Sequence, residues 1–191
     1  TVPVTSAATV ARVISLSDDG RRVLYRSNAR DLVSNTTFGL VDTYVFDSRT
    51  GSNQLVNVTR DGSATHDYSA LGQGSVLSAD GGAVAFRSWN TNVVESVDYT
   101  FNAYLRILDE GKTLLASPRP FGGLLGVSGS SELQLSGDGR RLAFRWIDNR
   151  FSLPIFSREE GDYVRGDWFP NSPQLAALAA SRLSSDGSRI G

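Results

Sequence analysis

The chain has 191 residues, 40% of them hydrophobic, enough for one ordinary domain with a core of its own or for a piece of a larger one. Nineteen Lys and Arg against 20 Asp and Glu leave a net charge of -1, which argues against a dedicated nucleic-acid binder and against a polybasic membrane-surface module. No run of about 18 apolar residues occurs, so no membrane insertion is expected, and the lack of cysteine removes disulfides, thiolate nucleophiles and Cys-type zinc sites together.

Residues 1–13 intersperse Val2, Val4, Val10 and Val13 with Ser and Thr and read as an edge strand or linker. The start at Thr1 and the absence of Met suggest a processed or trimmed product. Thr5-Ser6-Ala7-Ala8-Thr9 is small and polar, like the region around a signal-peptidase site, but linker or edge strand is the favoured reading.

The first hairpin follows. Ile14-Ser15-Leu16-Ser17 leads into Asp18-Asp19-Gly20, and Val23-Leu24-Tyr25 returns. An Asp-Gly pair between alternating apolar runs is a strong hairpin signal, because both residues tolerate the positive φ of tight turns. Alternation then puts Tyr25 in the core and Arg26 on the opposite face. A second hairpin joins Thr43-Tyr44-Val45-Phe46 to Gln54-Leu55-Val56-Asn57-Val58 through the turn at residues 47–51.

The pattern then recurs. Val76-Leu77-Ser78 leads through Asp80-Gly81 to Val84-Ala85-Phe86-Arg87, and Ala103–Leu108 pairs with Thr113-Leu114-Leu115 across Asp109-Glu110-Gly111. Gly122-Gly123-Leu124-Leu125-Gly126 lacks the Lys-Ser/Thr of a phosphate loop and reads as a connector. Leu133-Gln134-Leu135-Ser136 leads through Asp138-Gly139 to Leu142-Ala143-Phe144-Arg145, followed by Pro154–Ser157, a turn at 158–161, and Tyr163-Val164-Arg165. Residues 173–180 are the one stretch with a helical cast. Leu183-Ser184-Ser185-Asp186-Gly187 begins a fourth copy.

The shared motif is Leu-Ser-x-Asp-Gly, two polar or small residues, then an apolar residue, any residue, an aromatic and Arg. Its glycines, at 20, 81, 139 and 187, are 61, 58 and 48 residues apart. Four short antiparallel strands in each repeat of about 40–60 residues is the arithmetic of a β-propeller blade. The expected fold is all-β: three nearly complete four-stranded blades and the start of a fourth. Blades are expected at 14–74, 75–130 and 131–180, with the next begun at 181–191. Closed propellers have about four to eight blades, so these are expected to be part of a larger propeller.

The motif resembles the WD40-like, TolB-type propeller repeat. The first repeat is similar to a subgroup found in large exported bacterial proteins, through Ser27-Asn28-Ala29-Arg30-Asp31-Leu32-Val33, Asp42-Thr43-Tyr44-Val45-Phe46-Asp47 and Thr50-Gly51. The second keeps Ser88 and Asn92-Val93-Val94, and the third mainly its first hairpin. The resemblance implies a periplasmic or cell-surface setting. Some relatives carry an acidic loop able to hold a cation; here Thr36-Thr37-Phe38 replace its Asp-x-Asn, so no calcium site is carried over.

No residue set stands out as catalytic. His66, the sole histidine, lies beside Asp67 in a polar inter-blade stretch, and a loop role is favoured because triads assemble in space rather than by adjacency. Asp19, Gly20, Asp80, Gly81, Asp138, Gly139, Asp186 and Gly187 are assigned to structural turns. Being repeated blade by blade, these turns are expected to be spread around the ring, too far apart to share a cation at about 2.5 Å. No carboxylate pair is singled out for glycosidase chemistry. Trp89 and Trp146 follow the Phe-Arg of a second strand and approach a rim; they are candidate partner contacts, with packing between blades the favoured alternative.

The expectation is therefore a module that is not an enzyme and needs no cofactor, acting as a scaffold or protein-binding unit. Its partners would be another protein or the remaining blades of the propeller. The alternatives are an accessory domain of a larger enzyme such as a peptidase, and a carbohydrate-binding module.

Overall fold

Each Ser-x-Asp-Gly turn reverses the chain between two runs of alternating apolar residues, and the return run then pairs with a second hairpin. In the computed structural model, which describes residues 11–34, 40–65, 74–95, 102–117, 133–144, 152–168 and 183–187, this happens three times. The first blade holds β1 (Ala11–Leu16), β2 (Arg22–Ser27), β3 (Asp42–Asp47) and β4 (Ser52–Leu55). The second holds β5 (Val76–Leu77), β6 (Ala83–Ser88), β7 (Asn102–Ile107) and β8 (Lys112–Leu115). The third holds β9 (Gln134–Leu135), β10 (Arg141–Ala143), β11 (Ser152–Ser157) and β12 (Asp162–Trp168). Each is a four-stranded sheet in sequence order, with all neighbours antiparallel. No helix occurs among the described residues.

Register carries the aromatic residues to one face. Tyr25 lies opposite Tyr44, their rings stacked at 5.6 Å, and Phe86 lies opposite Tyr104 at 5.3 Å. Such cross-strand aromatic pairs add to simple burial. The faces then interlock between blades. Phe86 and Tyr104 pack against Leu24, Val45 and Val56 of the first blade. Phe144 and Phe156 pack against Ala85, Leu105 and Ala116 of the second. Each blade so covers the one before it, and a buried aromatic at each step contributes roughly 1.5–3 kcal/mol.

Two sequence expectations shift by a few residues. Ala11, Arg12 and Val13 open β1, paired to Ser27, Arg26 and Tyr25, and so belong to the first blade. The return strand expected over 54–58 ends at Leu55 because the Asn57 side chain takes over from the backbone ladder. Asn57 Oδ1 accepts from the Thr43 N–H at 3.0 Å, and Asn57 Nδ2 donates to Asp42 Oδ1 at 2.9 Å. Ser117 does the same in the second blade, accepting from the Ala103 N–H at 3.0 Å and donating to Asn102 Oδ1 at 3.1 Å. The connector at 122–126 and the stretch at 173–180 lie outside the described residues.

Candidate functional site

The repeated turns are built alike. The serine hydroxyl donates to the aspartate two residues on: Ser17 to Asp19 at 2.6 Å, Ser78 to Asp80 at 2.6 Å, Ser136 to Asp138 at 2.7 Å and Ser184 to Asp186 at 2.6 Å. In the three whole blades it also accepts the N–H that opens the return strand, from Arg22, Ala83 and Arg141, each at 2.9 Å. The same aspartate oxygen accepts a backbone N–H two residues further, from Arg21, Gly82 or Arg140. The serine hydrogen bond, and after it that of the Arg21 N–H, hold the Asp19 carboxyl below the usual carboxylate range. Ser17, Ser78 and Ser136 are buried, so the hydroxyl is a structural pivot whose one proton is committed to the turn.

The sequence expected these turns to be spread around the ring. The structure instead brings them to one end of the blades, where they touch. The Asp18 N–H donates to the Ala79 carbonyl at 2.7 Å, Asp80 to Gly137 at 2.9 Å and Asp138 to Ser185 at 3.1 Å. Together the turns line a cavity of about 530 Å³ whose walls carry Asp19, Asp80, Asp138 and Asp186. The reason is geometric: each turn ends the same strand of its blade, and β5 contacts both β1 and β9. Each carboxylate is nonetheless turned back onto its own serine and backbone. Among the described residues no group of three or more His, Cys, Asp or Glu is placed to hold a metal ion.

Arginines add a second layer of contacts between blades. Arg22 Nη1 donates to the Gly81 carbonyl at 2.8 Å, and its Nη2 meets Asp109. Arg141 reaches the Gly187 carbonyl at 3.4 Å. Arg158 pairs with Glu110 at 2.5 Å. Arg26, expected on the face opposite Tyr25, is buried, and burial lowers its pKa, with Arg12 adding repulsion.

The chain end of β6 presents a different surface. Trp89 is 42% exposed, more than the packing role favoured for it from sequence would leave. Close by in the chain, the Arg60 N–H donates to the Asn92 carbonyl at 2.7 Å, and Arg60 pairs with Glu95 at 2.7 Å. These contacts join the first two blades beside a groove of about 600 Å³ that also takes in Asn53, Gln54 and Arg106. Burial lowers the Arg106 pKa as well.

Sequence reading missed one element here. Thr59-Arg60-Asp61-Gly62 is another copy of the turn chemistry: Thr59 Oγ1 donates to Asp61 Oδ1 at 2.5 Å, and the Ser63 N–H donates to the same oxygen at 3.0 Å. The Ser63 and Thr59 hydroxyls bring the Asp61 carboxyl down to about 2. The signal was the Thr-x-Asp-Gly spacing itself, overlooked because it lies off the repeat period.

His66, Asp67 and Trp146 lie outside the described residues, as do the 36–38 loop and Arg145. Asp19, Asp80, Asp138 and Asp186 are brought together; Trp89 sits apart from them, at the end of β6 away from the turn that precedes that strand.

No family model matches the chain, and no curated protein matches it. Solved structures do. Dipeptidyl peptidase 4 of Porphyromonas gingivalis aligns over 95% of this chain and 28% of its own, at 13% identity and a TM-score of 0.55. The β-propeller domain of the Trilobed protease from Pyrococcus furiosus, described as having an open velcro topology, aligns over 84% and 43%, at 15% identity and a TM-score of 0.48. A TolB-like protein of Agrobacterium tumefaciens aligns over 97% and 60%, at 15% identity and a TM-score of 0.49. The chain thus spans between a quarter and two thirds of the length of these proteins, and at such identities the likeness speaks to fold alone. Three interlocked four-stranded antiparallel sheets and the first turn of a fourth make this chain an arc of a β-propeller.

Proposed function

We propose that the chain is a non-catalytic binding module, exported to the periplasm or cell surface, that docks a protein partner through the rim carrying Trp89. One observation carries the reading: a large aromatic side chain 42% exposed at a strand end. An exposed Trp offers a wide apolar face and an N–H donor at little entropic cost, which is why it recurs among interface anchors. The motif residues support the reading by exclusion, since the Ser and Asp of the repeat, and Arg22 beside them, are spent on turn and inter-blade hydrogen bonds. The exported setting rests on the resemblance to repeats of exported proteins.

The test is a photo-cross-linking amino acid in place of Trp89 in the producing cell, with the same residue at Asp109, on another turn, as control. A discrete protein adduct specific to position 89 is expected. Identical adducts from both positions, or none, would overturn the docking role. Adducts only to glycan would favour the carbohydrate-binding alternative.

A further inference from the structure

Phe46, Arg106 and Phe156 occupy one position of the repeat, opposite Val23, Val84 and Leu142 in the second strands of their blades. Gln54 and Leu114 likewise share a position of the fourth strand, opposite Val45 and Leu105. Between the second and third blades these positions are apolar on both sides. Phe156 is 1% exposed in the shared core, and Leu114 packs against that core. Between the first and second blades both are polar: Arg106 stands in the place of the phenylalanine and Gln54 in the place of the leucine. Here the two blades leave a groove of about 600 Å³, lined by both side chains. Facing blades have thus changed the same contact from apolar to polar, and the interface opens where they did so.

The groove has a charge to satisfy. Arg106 Nη1 donates to the Gly111 carbonyl at 2.8 Å and to Thr113 Oγ1 at 3.0 Å, which fixes the guanidinium in place. Its Nε is buried without an acceptor. Among the described residues no carboxylate pairs with Arg106, and burial alone sets the direction of its pKa shift. The other arginine of the groove, Arg60, is already paired with Glu95. A partly buried cation without a counter-charge is unfavourable, and a carboxylate that reaches it relieves the imbalance through charge-assisted hydrogen bonds. Gln54 donates through Nε2 to the Leu108 carbonyl at 3.0 Å and keeps its Oε1 as an acceptor. Val33, Val93 and Val94 add apolar wall. A fixed cation, an amide acceptor and apolar walls match an extended chain that brings a carboxylate, a backbone N–H and apolar flanks. We propose that the groove between the first and second blades binds a short acidic segment of a partner protein, with a Glu or Asp carboxylate on the Arg106 guanidinium and Gln54 accepting from the segment's backbone.

The proposal is independent of the Trp89 reading, since Trp89 does not line the groove. The probe is an immobilised library of decapeptides, randomised except at one central residue that is Glu, Gln or Lys, incubated with the labelled chain. Retention on the Glu set about tenfold or more above the Gln set is expected. Arg106→Phe combined with Gln54→Leu copies the apolar contact of the next interface. It should bring the Glu set down to the level of the Gln set with unchanged far-UV circular dichroism. Arg106→Lys keeps the charge but loses the planar fork and should fall in between, whereas Trp89→Ala should leave the preference intact. If the double variant fails to fold, Arg106→Gln alone makes the same comparison. Equal retention of the Glu and Gln sets, or a Glu preference that survives the loss of Arg106, overturns the proposal. So does displacement of the peptides by acetate at a concentration equal to theirs, which would assign the groove to a small carboxylic acid.

Discussion

The glycines of the inner and outer hairpin turns of each blade have the same backbone and different surroundings. Gly51, Gly111 and Gly161, in the turns between the third and fourth strands, have φ of 69°, 60° and 66°. Gly81, Gly139 and Gly187, in the motif turns, have 74°, 66° and 66°. Around Gly51 and Gly161 there is open space, and at Gly111 only an Arg106 terminus at 3.9 Å; the motif glycines are pressed against the preceding blade. One local demand, a left-handed residue, accounts for both sets. The second demand, room for a neighbouring blade, is met only at the inner, motif turns of Gly81, Gly139 and Gly187, and at Gly20 an added Cβ meets nothing within 4 Å.

The largest expected effect tests that second demand. Gly139→Ala combines left-handed strain, about 1–2 kcal/mol, with overpacking against Ala83, about 1–3 kcal/mol. Gly51→Ala carries the strain alone. Urea unfolding should therefore rank Gly139→Ala well below Gly51→Ala in midpoint; equal losses would mean that the blades do not meet at this turn as described.

Next in size is Ser78→Ala. It strands the buried Ala83 N–H and removes a donor from Asp80, for a cost of about 1–3 kcal/mol by equilibrium unfolding. A neutral result would sever the motif serine from the stability of the blade.

The smallest effect belongs to the outer turn. Hydrogen bonding from Arg21, the first cause, with the Arg49 N–H and the Arg22 charge, lowers the Asp47 carboxyl to about 2. A depressed folded-state value means that its stabilisation is complete above the unfolded carboxylate value near 3.8 and is lost as pH falls toward 2. Asp47 is close to solvent, so the contribution is modest. Asp47→Asn should lower stability modestly at pH 7 and remove that part of the loss across the acid window, so that variant and parent converge toward pH 2; an unaltered acid profile would show the pair to be idle.

Much of this molecule is local, and what is local was readable. Asp-Gly between alternating runs specified the hairpins, and strand periodicity put Tyr25, Phe86 and Phe144 in one core position, where they are all buried. The shortened β4 was less legible, because an Asn57 side chain replacing backbone pairing leaves the composition of a strand unchanged. Trp89 could not be placed, since a residue beyond the last paired position of β6 is governed by its surroundings and no longer by alternation.

Sequence by itself determined the number of strands, their antiparallel order and the residues of each turn, because hairpins are closed by contacts a few residues apart. Tertiary structure alone decided that four turns some 50 to 60 residues apart meet at one cavity, that Arg22 serves the next blade, and that Leu16 stays exposed where Leu77 is covered. The physical reason is that a repeat encodes each blade identically, whereas burial depends on whether another blade stands beside it.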